Sequence, residues 1–204
     1  MIGRLREVVE KNRTLDREQI FSAATQQPDG NGTHYMEHIQ SRCRQIPIRY
    51  NQEQQLPGPT GETNTLRLGP RGILVCLGGG GDDHDLERQV VMSLASGNGA
   101  IVACDDARRA HITNVVSSLE KAGLPSELVQ FISENEISAY LHAEIDGCVC
   151  SGDRRVVAGE ILCRRDGPIL PVLHPDDDPE RFCVERTLTI NTTAAGGNAS
   201  LLAL

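Results

Sequence analysis

Arg71-Gly-Ile-Leu-Val-Cys-Leu-Gly-Gly-Gly-Gly-Asp-Asp-His-Asp-Leu-Glu-Arg-Gln-Val-Val-Met-Ser-Leu-Ala-Ser-Gly-Asn-Gly-Ala-Ile-Val-Ala-Cys104 is the stretch that decides the fold. Ile73–Leu77 is a short apolar run, the mark of a buried strand. Four glycines (Gly78–Gly81) break it, and Asp85–Ala95 then reads as a helix. Ala100–Cys104 is a second strand. The alternation continues downstream. A helix is expected over Asp105–Ala122, with Asp105 or Asp106 as N-cap and Gly123 as C′. Leu128–Ile132 follows as a strand, Asn135–His142 as a short helix, Gly147–Cys150 as a strand, Asp153–Arg164 as a helix and Ile169–Leu173 as a fifth strand. Strands alternating with helices imply right-handed crossovers, hence an α/β, Rossmann-like, mostly parallel sheet with helices on both faces.

The flanks are different. Residues 1–25 carry scattered apolar points (Leu5, Val8, Val9, Leu15, Ile20), which predict one or two short surface helices. Gln26–Gly32 reads as a turn from its Pro, Asp-Gly and Asn-Gly signals, His34–Gln45 as a further helix, and Gln52–Gly61 as a connector. At the other end, Leu188 and Ile190 alternate with Thr187 and Thr189, giving an extended strand over Arg186–Asn191 outside the regular repeat. A tail of small residues follows. The chain divides on this reading into a helical connector (1–55), the Rossmann-like domain (56–184) and a strand with a docking tail (185–204). Asn191, Thr192, Thr193, Gly196, Gly197, Asn198 and Ser200 are the candidate docking residues, because small side chains and glycines permit close backbone approach in a groove. Leu201, Leu202 and Leu204 would anchor the end.

The composition excludes several classes. Aromatic residues make up 3% of the chain and Trp is absent, so base-stacking platforms for single-stranded nucleic acid are lacking. A net charge of −8 repels phosphate backbones and anionic membranes. No apolar run has the length of a membrane span, and the charged first twenty residues do not read as a signal peptide. The seven cysteines (Cys43, Cys76, Cys104, Cys148, Cys150, Cys163 and Cys183) are odd in number and lack CxxC spacing. They read as reduced thiols in a cytoplasmic protein.

Three groups invite chemistry, and each has a plainer account. The glycine turn Gly78–Gly81 suggests a pyrophosphate cradle at a helix N-terminus. Its spacing is not GxGxxG, however, and Asp82, Asp83 and Asp85 place negative charge where phosphates would sit. An acidic helix start that complements the dipole explains the pattern better. Asp82, Asp83, His84 and Asp85, and His174 with Asp176–Asp178, are possible hard-cation or mixed ligand sets, but solvated acidic loops look the same. Cys148 and Cys150 share one strand face by their period-two spacing, and buried core is the expected role. No GxSxG, HExxH or P-loop pattern occurs. No catalytic, cofactor-binding or metal residue is therefore assigned.

Leu56-Pro-Gly-Pro-Thr-Gly-Glu-Thr-Asn-Thr-Leu66, the strand around Gly72–Leu77, and Glu185-Arg-Thr-Leu-Thr-Ile-Asn-Thr-Thr-Ala-Ala-Gly-Gly-Asn-Ala-Ser-Leu-Leu202 resemble the C-terminal part of the proline utilization A family. These are bifunctional enzymes joining proline dehydrogenase to L-glutamate-γ-semialdehyde (1-pyrroline-5-carboxylate) dehydrogenase. The resemblance runs from about Leu56 to Leu204; the tail and the Gly-Pro-Thr-Gly-Glu segment carry it, and the middle matches mainly in pattern. It implies an aldehyde-dehydrogenase-superfamily domain without catalysis of its own. Such a domain packs on the semialdehyde dehydrogenase domain, its partner in the same or an associated chain, and its tail helps close the tunnel that passes the intermediate between active sites. FAD and NAD would belong to the parent enzyme and none to this chain. The sequence departs from the family in stopping at Leu204 rather than at a final Gly, and in its Gly79–Gly81 and Asp176–Asp178 runs. Met1 would then be an internal start, or the chain a fragment. The competing expectations are an independent nucleotide-binding oxidoreductase, which has no use for such a tail, and a DNA-binding repressor, which the net charge opposes.

Overall fold

The computed structural model describes residues 2–25, 53–79 and 84–191. A five-stranded parallel sheet forms its centre, in the order β5-β4-β3-β6-β7. The strands are β3 (Ile73–Cys76), β4 (Gly99–Ala103), β5 (Val129–Ile132), β6 (Gly147–Val149) and β7 (Val172–Leu173). The helices are α1 (Ile2–Lys11), α2 (Arg17–Thr25), α3 (Asp85–Ala95), α4 (Asp106–Lys121), α5 (Ile137–Leu141) and α6 (Arg154–Leu162). The expected α/β architecture is thus the observed one. Within it, α3 has the expected bounds. Asp105 caps α4 by accepting the Arg108 amide at 2.8 Å, and Gly123 follows the C-cap, Ala122.

Alternation along β3 builds the core. Leu74 and Cys76 point to one face, among Val90, Met92 and Leu94 of α3 and Ile112, Val116 and Leu119 of α4. Ile73, Val75 and Leu77 point to the other, with Leu141, Cys148, Cys150 and Ala158. Both faces of β3 are buried, which explains its unbroken apolar run. Cys148 and Cys150 lie in this second layer, as their spacing predicts.

The amino-terminal helices are more deeply involved than surface helices. Leu5 and Val9 of α1 are buried, as are Ile20 and Phe21 of α2. Leu5 and Val9, one turn apart, lie over Gly99, where a Cβ would crowd both side chains. Only glycine lets α1 approach the start of β4 this closely. Arg6 secures the helix through Asp146 at 2.9 Å and the Glu144 carbonyl at 2.9 Å.

Beside this domain stands a second sheet, antiparallel and three-stranded, in the order β1-β2-β8. Its strands are β1 (Gln54–Leu56), β2 (Glu62–Pro70) and β8 (Cys183–Asn191). The terminal strand expected over Arg186–Asn191 therefore starts earlier, and it pairs within the chain along all of β2, from Pro70↔Cys183 to Glu62↔Asn191. Gln52–Gly61, read as a connector, contains β1. The turn Gln26–Gly32 and the helix His34–Gln45 lie outside the described residues.

Asn98 ties the two sheets together. It is fully buried. Its Oδ1 accepts the Gly72 amide at 3.0 Å, at the entry to β3, and its Nδ2 donates to the Phe182 carbonyl at 2.9 Å, just before β8. Asn98→Ala strands both backbone groups without water. At about 1–3 kcal/mol per orphaned group, the loss of stability should be about 3 kcal/mol, read from the urea midpoint. Ile169→Ser, at a side chain that is 99% exposed, should shift stability by less than about 0.5 kcal/mol.

Candidate functional site

In an open parallel sheet, ligands bind outside the carboxyl ends of the strands, where the strand order reverses. Here that point lies between β3 and β6, where a network of protein side chains ties the two loops together. Asp85, the first residue of α3, is 2% exposed. Its Oδ2 accepts from Gln89 Nε2 at 2.8 Å and its Oδ1 from Ser151 Oγ at 2.7 Å, with Arg88 Nη2 at 3.4 Å. Gln89 turns its Oε1 onto the amides of Leu77 and Gly78, at 3.1 and 3.0 Å. These two amides begin the loop that would cradle a pyrophosphate. The Ser151 amide donates to the Gly78 carbonyl at 3.0 Å, continuing the β3–β6 contact past the strand ends. Gly79 (φ 109°) and Gly152 (φ 52°) press together so closely that a Cβ on either would overlap the facing backbone.

The cations at the rim are engaged as well. Glu134 takes Arg108 at 3.2 Å and Arg154 at 2.9 Å, and Arg108 also pairs with Asp105. The negative charge that sequence places at the helix start is present in Asp85, and it is structural. Gly80, Gly81, Asp82 and Asp83 lie outside the described residues, so the set Asp82, Asp83, His84, Asp85 is seen only in part.

His84 instead meets two residues that its own loop does not supply. Its Nδ1 lies 3.0 Å from Glu87 Oε2, and His111 Nε2 of α4 lies 2.9 Å from the same oxygen. Glu87 was legible three residues after His84, on the same helix face; His111 gives no sequence signal, because the packing of α3 on α4 brings it in. The His174 loop is closed on itself by a turn. Asp177 accepts the His174 amide at 2.8 Å and pairs with Arg181 at 2.8 Å, and Asp178 accepts the Glu180 amide at 3.1 Å.

Of the docking residues, Asn191 ends β8 opposite Glu62. Thr192, Thr193, Gly196, Gly197, Asn198 and Ser200, with Leu201, Leu202 and Leu204, lie outside the described residues. Among the described residues, strand β8 has β2 as its neighbour on one side and is the edge of its sheet on the other. Leu188 and Ile190 stand about half exposed on it.

Most of the buried thiols are poor nucleophiles; the exception is Cys150, which its hydrogen bond with Cys148 holds below the ordinary thiol range but which is fully buried. Burial pushes Cys76 up to about 12 and Cys183 up to about 11. The hydrogen bond with Cys150, and then burial, hold Cys148 far above the ordinary thiol range. The thiolate is the reactive form. Among the described cysteines, only exposed Cys163 should therefore label rapidly with a disulfide reagent near pH 8, as mapped by mass spectrometry, with Cys76, Cys148 and Cys183 labelling only on unfolding. The raised thiols Cys76, Cys148 and Cys183 outnumber the lowered Cys150 and set the direction of a pH trend. Above about pH 9 the unfolded thiols ionise while the native ones stay protonated, so stability should fall with rising pH until the native thiols also ionise.

Comparison with solved structures defines the class first. The fold is that of the aldehyde dehydrogenases. An NAD-dependent benzaldehyde dehydrogenase from Corynebacterium glutamicum superposes with a TM-score of 0.56 at 18% identity, covering 85% of this chain and 40% of that one. A crystal structure of bifunctional proline utilization A (PutA) reaches a TM-score of 0.70 at 21% identity, covering 85% of this chain and 21% of that one. In sequence, the bifunctional protein PutA of Escherichia coli strain K12 is 33% identical over 175 residues, 81% of this chain and 12% of that protein. PutA of Rhizobium meliloti is 27% identical over 162 residues, 74% of this chain and 12% of that protein. No family model matches. The chain is a PutA-related region with an aldehyde-dehydrogenase-like fold, and it spans about 12% of the length of these curated relatives. Among the described residues, no helix is long and apolar enough to cross a membrane.

Proposed function

We propose that this chain is the non-catalytic C-terminal domain of a bifunctional proline-catabolic enzyme that takes proline to glutamate. It supports the semialdehyde dehydrogenase domain, and its tail seals the tunnel through which the intermediate passes. The observation that carries this reading is the match to PutA across 81% of the chain. Two features support it. The first amides of the loop that would cradle a dinucleotide's pyrophosphate are held by the Asp85, Gln89 and Ser151 network, and we assign FAD and NAD to the parent enzyme's other domains. Strand β8, an edge strand among the described residues with Leu188 and Ile190 exposed, is suited to receive a partner strand through main-chain hydrogen bonds, and it delivers the chain to the small-residue tail.

The tail is tested in the full-length parent enzyme. Removing the residues equivalent to Asn191–Leu204 should lower semialdehyde dehydrogenase activity by about tenfold, or ~1.4 kcal/mol of barrier. It should also lengthen the lag in coupled proline-to-glutamate turnover and largely spare proline dehydrogenase activity. Unchanged coupled kinetics would make the tail a passive terminus. The competing reading, an independent nucleotide-binding oxidoreductase, is tested by calorimetry on the chain alone. NAD should bind more weakly than about 10 μM; affinity tighter than that, roughly −7 kcal/mol, would favour the oxidoreductase.

A further inference from the structure

We propose that His84, Glu87 and His111 form a binding site for a divalent transition-metal ion, with Zn²⁺ the best fit. The three side chains offer two imidazole nitrogens and a carboxylate oxygen, and these ligand atoms all lie within 4.8 Å of one another. Two of the edges, both at Glu87 Oε2, measure 3.0 and 2.9 Å. A tetrahedral zinc ion held at about 2.0–2.1 Å sets neighbouring ligand atoms roughly 3.3 Å apart, so small rotations of exposed rings suffice. The rings already stand edge to face, with centroids 5.8 Å apart. Two His and one Glu form a known zinc ligand set that leaves one position open, and here the half-exposed imidazoles keep that position within reach of water.

Charge argues the same way. The Glu87 side chain is 3% exposed, and among the described residues its ion-pair partners are these two imidazoles. With neutral rings, a nearly buried carboxylate is left without a full positive charge beside it, a costly state that a dication relieves. The rings belong to different elements, His84 at the start of α3 and His111 within α4. A bound ion would therefore clamp the two helices. The positive end of the α3 dipole opposes any cation placed here, which sets the expected affinity in the micromolar range rather than tighter.

The alternative is a plain hydrogen-bonded triad in which both rings donate to Glu87. The full chain, stripped with a chelator, is titrated with Co²⁺ and then with Zn²⁺ by competition. One equivalent should bind with a dissociation constant of roughly 1 μM, giving visible Co²⁺ ligand-field bands without a thiolate charge-transfer band. His84→Ala and His111→Ala should each weaken binding by at least about a hundredfold, beyond the usual loss from an outer-shell partner. Cys163→Ser should leave binding unchanged. His84→Gln and His111→Gln replace any alanine variant whose circular dichroism shows that it has not folded, with the same loss expected. No uptake, uptake with thiolate bands, or affinity unaltered in both His variants would overturn the site.

Discussion

A carboxylate taken out of water must be paid for by its neighbours, and Asp85 sets the terms for everything around it. Its oxygens are held by an amide from the next helical turn, a hydroxyl from the loop after β6 and a nearby guanidinium. The amino end of α3 adds its dipole. The arrangement works because Gln89 is itself fully used, its amide on Asp85 and its carbonyl on the backbone at the end of β3. Every member thus satisfies another, the condition under which a buried polar network rigidifies rather than weakens a core. Through it, strand β3, helix α3 and the loop after β6 are fixed as one body.

The two sheets show opposite solutions to the same backbone requirement. The central sheet hides both faces and needs apolar side chains at nearly every position of β3 and β4. The small sheet hides little: β8 is buried at Cys183 and otherwise half-buried or exposed. Its pairing rests on ladder hydrogen bonds and side-chain contacts such as Thr189 Oγ1 to Asn64 Oδ1 at 2.6 Å. Such contacts contribute little each. A long ribbon of this kind gains stability by lying against another surface, consistent with a region that is a small part of much longer relatives.

These contrasts explain what could be read in advance. The parallel sheet was legible because burial on both faces writes itself as Ile73–Leu77 and Ala100–Cys104, and because Asp105 and Gly123 mark the ends of α4 chemically. Strands β1 and β2 were not legible: Thr63, Asn64 and Thr65 show no apolar alternation, and prolines and glycines surround them. The depth of α1 was missed because Leu5 and Val9 owe their burial to Gly99, far along the chain. The Asp85 network escaped for the same reason. Ser151 lies 66 positions from its carboxylate partner, and Glu87 meets His111 across 24. Local pattern reports periodicity and caps; it does not report which loops meet.

The contact between Gly79 and Gly152 couples the loops after β3 and β6. Neither residue can acquire a side chain while the other loop stays in place. Trimming Gln89 alone would bare the Gly78 amide, since the Leu77 amide also donates to the Val149 carbonyl at 3.0 Å, but would leave the loops closed, and moving the loops alone would strand Asp85. Parting these loops therefore needs several coordinated changes, each costly without the others, so a substitution at one glycine is answered at the other loop.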